Sequence, residues 1–476
     1  MHHQLGCTLK QKLLLVLFSG VISWNSFSQN HFEINYPDLT EYEGVYEYIG
    51  NDALGMAASP KDLKLYAIID DARYPLTPVG KDLFLNPGKQ EVRFIRDPAK
   101  KIIGYTVKDD HPGHLYRLLN KEIVFPQTMW YPRMNASPYA YTIPKDFHDG
   151  LPTGSLTGTG LDSAALVQMV NHIAEGSLPN IHSVLIIKDG KLVFEEYFYE
   201  YEQNTLQQIR SATKSFISAL IGIAINKGLI KSKDEPVISF FPGYKLDNLT
   251  EDKKKITIEN MLNQQSGLDC NDHNGRSPGN EEKMYPTGDW VKFILDLPLA
   301  AKPGAEAMYC SGNVMVLAAI IVKVSGKSLY EFAKENLFEP LGVSGYKWNF
   351  RPDSSQMNTF GQLYIRPRDM AKFGWIYLNH GKWNNLEVVP DAWVKETLTP
   401  QTTLENTPYG YLWWHPWLMV NGIRNDATAA KGNGGQRIYL RPDLNMVVVI
   451  TGGNYNAESS SDNLLAHYIL PAFNRK

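Results

Sequence analysis

Arg210-Ser211-Ala212-Thr213-Lys214-Ser215-Phe216, continuing into Ile217-Ser218-Ala219-Leu220-Ile221-Gly222-Ile223-Ala224-Ile225, is the stretch on which the reading of this chain turns. On a helix, residues i and i+3 share a face, so the Ser211 hydroxyl and the Lys214 amine come within hydrogen-bonding reach. The residues that follow are apolar on nearly every side, the pattern of a helix buried in the middle of a domain. A buried helix is a rigid mount for a nucleophile. The spacing S-x-x-K arises by chance about twice in a chain of this length, so alone it describes an ordinary first helical turn. Two later segments give it company. Tyr309-Cys310-Ser311-Gly312-Asn313 precedes a second apolar run, Val314 to Val322, and Gly432-Asn433-Gly434-Gly435-Gln436 precedes the strand-like Arg437-Ile438-Tyr439-Leu440.

The chain has 476 residues, 43% of them hydrophobic, enough for a large core and a second unit. Its 47 basic and 50 acidic residues nearly cancel, and no long basic patch runs through it, which removes the reason to expect a nucleic-acid partner. The 10 Trp and 26 Tyr suit large packed surfaces and an aromatic-lined pocket.

At the amino terminus, Lys10 and Lys12 lead into Leu13-Leu14-Leu15-Val16-Leu17-Phe18 and on to Ile22, with small or polar residues near Ser26-Phe27-Ser28-Gln29. That is the outline of a signal peptide, residues 1–28, cut after Ser28. Its apolar core is shorter than a bilayer span, so stable membrane insertion after processing is not expected. Export to the periplasm or beyond is the expectation. Cleavage leaves Cys270 and Cys310, which could bridge in an oxidising compartment, although their spacing reads equally as two separate buried thiols.

From 29 to 125 the sequence reads as a small antiparallel β module, with strands at Tyr42–Tyr48, Leu63–Ile68, Glu91–Ile95 and Lys101–Val107. It holds no evident nucleophile, base or ligand set. Residues 126–159, with Pro126, Pro132 and Pro138, read as a connecting stretch. From 160 to 476 come a helix at Ser163–Glu175, a hairpin turning at Asp189-Gly190, the Ser211 helix, further helices and a closing strand and helix. That order implies an α/β (α+β) domain around a largely antiparallel sheet.

On these motifs the chain resembles the serine β-lactamase and penicillin-binding-protein-like family, in particular its branch of class C-like esterases and 6-aminohexanoate-dimer hydrolases. Arg210 to Phe216 is similar to the family's nucleophile motif, and Tyr309-Cys310-Ser311 to its tyrosine motif. Ile256-Thr257-Ile258-Glu259-Asn260-Met261-Leu262 with Ser266-Gly267-Leu268, Gly361-Gln362-Leu363-Tyr364 through Gly374, and Tyr409-Gly410-Tyr411-Leu412-Trp413-Trp414 also look familial. The likeness covers about 160 to 470. Where penicillin-acting members carry Lys-Thr-Gly or Lys-Ser-Gly, this chain has Ala430-Lys431-Gly432 ahead of Asn433. The lysine expected at the first of these positions, a partner for a β-lactam or peptide carboxylate, is missing.

The resemblance implies a beta-lactamase/transpeptidase-like domain and a serine hydrolase that needs no cofactor and no metal. Its substrate would be a small-molecule ester or amide, with β-lactams and D-amino-acid peptides ranked lower and a non-hydrolytic acyl-enzyme receptor as the other class. In the expected chemistry Ser211 attacks a carbonyl, and Lys214, kept neutral by burial or nearby positive charge, takes its proton. Tyr309 carries a proton to the leaving group, with Ser311 and Lys214 fixing its hydroxyl. The main-chain N–H groups of Ser211 and Asn433 form an oxyanion hole. Gly432, Gly434, Trp413 and Trp414 are candidate pocket-lining residues. A metal reading of His273 with Asp269, Cys270 and Asp272 lacks a recurring zinc-binding spacing.

Overall fold

The computed structural model describes residues 32–48, 53–69, 72–108, 113–133, 138–348 and 363–473. The leader through Ser28, Cys7, and Gly361-Gln362 lie outside the described residues.

The amino-terminal module is a closed antiparallel barrel of eight strands: β1 Gly44–Glu47, β2 Ala53–Ser59, β3 Lys64–Ile69, β4 Ala72–Gly80, β5 Leu83–Leu85, β6 Glu91–Arg96, β7 Ile102–Val107 and β8 Tyr116–Asn120. Closure comes from β1 pairing with both β2 and β8, which leaves no free sheet edge. An aromatic core fills it, with Tyr42 centred 5.0 Å from Phe84 and 4.8 Å from Phe94. Four of the eight strands were legible from alternation. Of the others, β2 is rich in Ala and Gly and β4 is broken by Pro75 and Pro78, residue types that blunt a strand signal, while β5 and β8 are only three and five residues long.

The second unit is an eight-stranded antiparallel sheet. Its strands are β9 Ile181–Lys188, β10 Lys191–Tyr197, β11 Thr402–Leu404, β12 Thr407–Gly410, β13 Trp413–Trp414, β14 Thr428–Gly432, β15 Gln436–Arg441 and β16 Met446–Gly452, in the spatial order β10-β9-β16-β15-β14-β13-β12-β11. Central strands β9 and β16 are buried almost throughout, so period 2 decides which core each residue joins. Leu185, Ile187, Val447 and Val449 face one hydrophobic cluster, while Val184, Ile186, Val448 and Ile450 face the other.

The second cluster is covered by α1, Ser163–Ala174, capped by Asp162, and by the carboxy-terminal turns Ser461–Leu464 and Leu465–Ile469. The first holds α2, Thr213–Asn226, α3, Ser311–Ser325, and α4, Pro367–Leu378. Every residue of α2 from Thr213 to Ala224 is buried, and Phe216 stacks 3.7 Å from Phe373 of α4. The α/β fold expected from the sequence, with a central antiparallel sheet flanked by helices and preceded by a small β unit, is the fold observed. Among the described residues no single helix is long and apolar enough to cross a membrane; Ser311–Ser325 and Leu329–Phe338 qualify only as a pair bent by 80°.

The two units touch through Arg73 of β4, whose guanidinium bonds the Met129 carbonyl and the Glu200 carboxylate. It lies 5.9 Å from the ring centroids of both Trp130 and Tyr199.

Helix α4 lies directly on the sheet because residue 374 is glycine. A Cβ there would sit 2.6 Å from Val447 Cγ1 and 2.8 Å from Ile438 Cγ2. We therefore predict that Gly374→Ala lowers unfolding free energy by about 1–3 kcal/mol. Urea denaturation measures it, and an unchanged midpoint would contradict the contact.

Candidate active site

The nucleophile segment is pinned before the helix begins. Gln207 and Gln208 pair with Ile365 and Tyr364, and Ile209 N–H donates to the Leu363 carbonyl at 3.0 Å. Arg210 then takes φ +50°, a left-handed conformation that a side chain rarely adopts and that surrounding structure must hold in place. Ser211 occupies a single 3₁₀ turn, Arg210–Ala212, and α2 starts only at Thr213. The expected helix thus begins two residues late, with Ser211 in the entry turn, where N–H groups have no helical acceptor. Lys214 Nζ donates to Ser211 Oγ at 3.0 Å.

Lys214 is only 3% exposed, and its charge decides the chemistry. Burial alone would push its ammonium below the ordinary lysine range. Tyr309, Glu281 and Asp272 outweigh burial and hold it above that range, with Tyr309 also hydrogen-bonding it. The neighbours that face Lys214 are acidic rather than basic, so they oppose the neutral form that burial favours. Nζ lies 4.9 Å from the Tyr309 ring centroid.

Tyr309 is reached from α3 and held by contacts that have no sequence signature. Gln264, itself at φ +60°, accepts the Cys310 N–H at 2.8 Å through Oε1 and the Met308 N–H at 2.8 Å through its carbonyl. Asp272 N–H donates to the Tyr309 carbonyl at 3.0 Å, and Asp272 Oδ2 accepts the Ser311 N–H at 2.6 Å. The Ser311 hydroxyl also bonds Asp272. Ser311 thus meets Asp272 through both its N–H and its hydroxyl. Cys270 and Cys310 form a disulfide, with Cα atoms 5.4 Å apart, correcting the reading of two separate thiols. His273 pairs with Glu405 at 2.9 Å and packs 5.2 Å from the Tyr309 ring.

The glycine-rich segment meets the nucleophile at the end of β14. A Cβ on Gly432 would fall 2.2 Å from the Ile209 carbonyl oxygen and 3.2 Å from Ala212 N. Only glycine allows the strand so close. Asn433 follows, its side chain donating to Asn456 Oδ1 at 2.7 Å and accepting the Asn456 N–H at 2.9 Å. Gly434, at φ +90°, pairs with Asn454.

The two tryptophans separate. Trp414 lies 6.1 Å from Tyr309, whereas Trp413 is fully buried against Phe373 and Tyr377. Trp413 is core, not pocket, because neighbouring strand residues point to opposite faces. Lys431, which sequence reasoning left without a role, reaches over Trp414 at 5.9 Å and lies 3.7 Å from Asp462. Burial pushes the Lys431 ammonium below the ordinary range.

A serine and lysine at the mouth of a buried helix, faced by a tyrosine from a second segment and backed by a helix-flanked antiparallel sheet, define a class of protein. The beta-lactamase family profile matches residues 172–469, and the chain belongs to that family. A Bacillus subtilis (strain 168) protein named for penicillin binding, PbpX, is 27% identical over 222 residues, covering 40% of this chain and 53% of that protein. The chain spans about half the length of the curated relatives it matches. Among solved structures, a family VIII carboxylesterase shares the fold at a TM-score of 0.54 and 13% identity, covering 67% of this chain and 99% of that one. EstCE1, described as a hydrolase with promiscuous acyltransferase activity, does so at 0.53 and 15%, covering 64% and 97%.

The Gly432 contact yields a prediction. In Gly432→Ala the added methyl displaces β14 from the Ile209–Ala212 turn, and reaction of Ser211 with a fluorophosphonate should slow about 10²-fold. An unchanged labelling rate in the folded variant would contradict the contact's importance.

Proposed function

We propose that the protein is a serine hydrolase that cleaves small esters or short amides through an acyl-enzyme on Ser211. The observation that carries the reading is the 3.0 Å bond from Lys214 Nζ to Ser211 Oγ, made in a buried site beside Tyr309. Lys214 and Tyr309 touch, and the Tyr309 side chain hydrogen-bonds the Lys214 amine, so the two side chains can hand one proton between them. Lys214, which bonds Ser211 Oγ, and Tyr309 beside it together take the proton from Ser211, and Tyr309 Oη hands it to the leaving group.

Acylation then proceeds as follows. Ser211 Oγ bonds to the substrate carbonyl carbon as its proton passes to the Lys214–Tyr309 pair, which reacts in the form that is one proton short. The negative charge that forms on the carbonyl oxygen is met by the N–H groups of Ser211 and Asn433. Collapse breaks the bond to the leaving oxygen or nitrogen, which takes the proton from Tyr309. In the second half, water gives a proton to the same Lys214–Tyr309 pair while its oxygen attacks the acyl carbon, and Ser211 regains the proton as the acid departs.

Small esters and short amides rank above β-lactams because Ala430 stands where penicillin-acting relatives carry lysine. The Bacillus relative's name argues the other way, so a β-lactam belongs in the test. Export is part of the reading: the apolar leader supports it, and the Cys270–Cys310 disulfide fits an oxidising compartment.

A serine-directed fluorophosphonate followed by peptide mass spectrometry should place the adduct on Ser211, and Ser211→Ala should lower turnover by roughly 10⁴-fold or more. The same protein is then assayed on short acyl esters, aminohexanoate-type amides, D-amino-acid peptides and a chromogenic cephalosporin, compared as kcat/KM. Labelling of a different serine rejects the mechanism. Preferential cephalosporin turnover overturns the ranking, and labelling of Ser211 without turnover of any substrate favours the acyl-enzyme receptor.

A further inference from the structure

The loop from Asp269 to Asp272 is tied to the tyrosine segment at three successive points. Asp272 N–H bonds the Tyr309 carbonyl at 3.0 Å, Cys270 is bridged to Cys310, and Asp272 Oδ2 accepts the Ser311 N–H at 2.6 Å. Asp272 thus straddles Tyr309, holding the residue's own carbonyl with its main chain and the N–H two residues on with its side chain. Its second oxygen, Oδ1, accepts the Glu281 N–H at 3.2 Å, and Asn280 Nδ2 holds its carbonyl at 2.9 Å. A carboxylate fixed from this many directions cannot swing away from the site.

We propose that Asp272 is a positioning residue for the Ser211 chemistry, one that sets both where Tyr309 stands and how much negative charge faces the Lys214 ammonium. The inference rests on the roles read above for Ser211, Lys214 and Tyr309. Asp272 touches none of the reacting atoms and acts through its two neighbours.

The charges around the pair come from every side of the site. Asp272 on its loop, Glu281 on the Glu281–Met284 turn and Tyr309 ahead of α3 face Lys214. Glu282 lies behind Glu281 and Asp272, and Tyr285 donates to Glu281 Oε2 at 2.8 Å. On the far side of the Tyr309 ring stand His273 with Glu405, and Lys431 beyond Trp414. Burial and Glu281 push the Asp272 carboxyl above the ordinary aspartate range, against the opposing pull of Lys214 and Ser311.

The sign of the charge effect is the same whichever of Lys214 and Tyr309 gives up the working proton. Removing the Asp272 negative charge makes proton loss from either group easier. The acid limb of the reaction therefore moves to lower pH. Asp272→Asn keeps an oxygen for the Ser311 N–H while removing the charge and the longer bond from the Glu281 N–H, whereas Asp272→Ala removes all three.

The test follows the second-order rate of fluorophosphonate labelling at Ser211 against pH, in the full chain with its disulfide intact. Asp272→Asn should shift the acid-limb midpoint down by about one pH unit, with the plateau largely kept. Asp272→Ala should lower the plateau about 10²-fold. An unmoved midpoint in the folded Asn variant, or an Ala plateau equal to wild type, overturns the proposal. If the Ala variant does not fold, the Asn midpoint decides alone. Failure of the wild-type protein to label at Ser211 would instead defeat the underlying mechanism, so the two outcomes are separable.

Discussion

A lysine ammonium enclosed at 3% exposure cannot stand alone, and much of this structure answers that requirement. Removing such a charge from water costs several kcal/mol unless hydrogen bonds and opposite charges replace the lost solvation. Here the replacements are Ser211, Tyr309, Asp272 and Glu281. Each comes from a different part of the chain. The apolar helix α2 forces the burial, since its residues from Thr213 to Ala224 are all interior, and the polar groups at its mouth are arranged around the consequence. The pair that makes Ser211 reactive is thus also an electrostatic problem solved by the fold.

Two supports hold the geometry. On one side β14 runs up against the Ile209–Ala212 turn, a contact that requires Gly432. On the other, Gln264, Asp272 and the Cys270–Cys310 bridge fix the segment that carries Tyr309. Both supports rest on the same hydrophobic cluster, where α2, α3 and α4 pack against one face of the sheet. Among the described residues, none of the contacts named here comes from the barrel, which meets the second unit through Arg73 and Glu200.

What could be seen in the sequence was what is local. Apolar periodicity gave α2 and α3, alternation around Asp189-Gly190 gave the β9–β10 hairpin, and motif spacing singled out Ser211, Lys214 and Tyr309. Half the barrel strands were hidden, β2 and β4 by Ala, Gly and Pro and β5 and β8 by their shortness. The partners of the tyrosine segment were hidden for a different reason: Asp272 meets Ser311 across 39 residues and Gln264 meets Cys310 across 46, from loops without periodicity. Asp272 had been noticed only as a metal-donor type. The acidic groups around Lys214 were hidden for the same cause, since no spacing reveals Asp272 and Glu281 as its neighbours. Trp413 and Trp414 were inseparable in sequence because a two-residue strand shows no alternation to read.

If Ser211, Lys214 and Tyr309 form one proton-handling unit, removing a second member should cost little once the first is gone. The direct measurement is a double-mutant cycle on Ser211 phosphonylation: Lys214→Ala, Tyr309→Phe, and both together, at the pH of the wild-type plateau. The account predicts that the double variant reacts about as slowly as the slower single variant. Losses that simply multiply would show that the two residues act independently, and would contradict it.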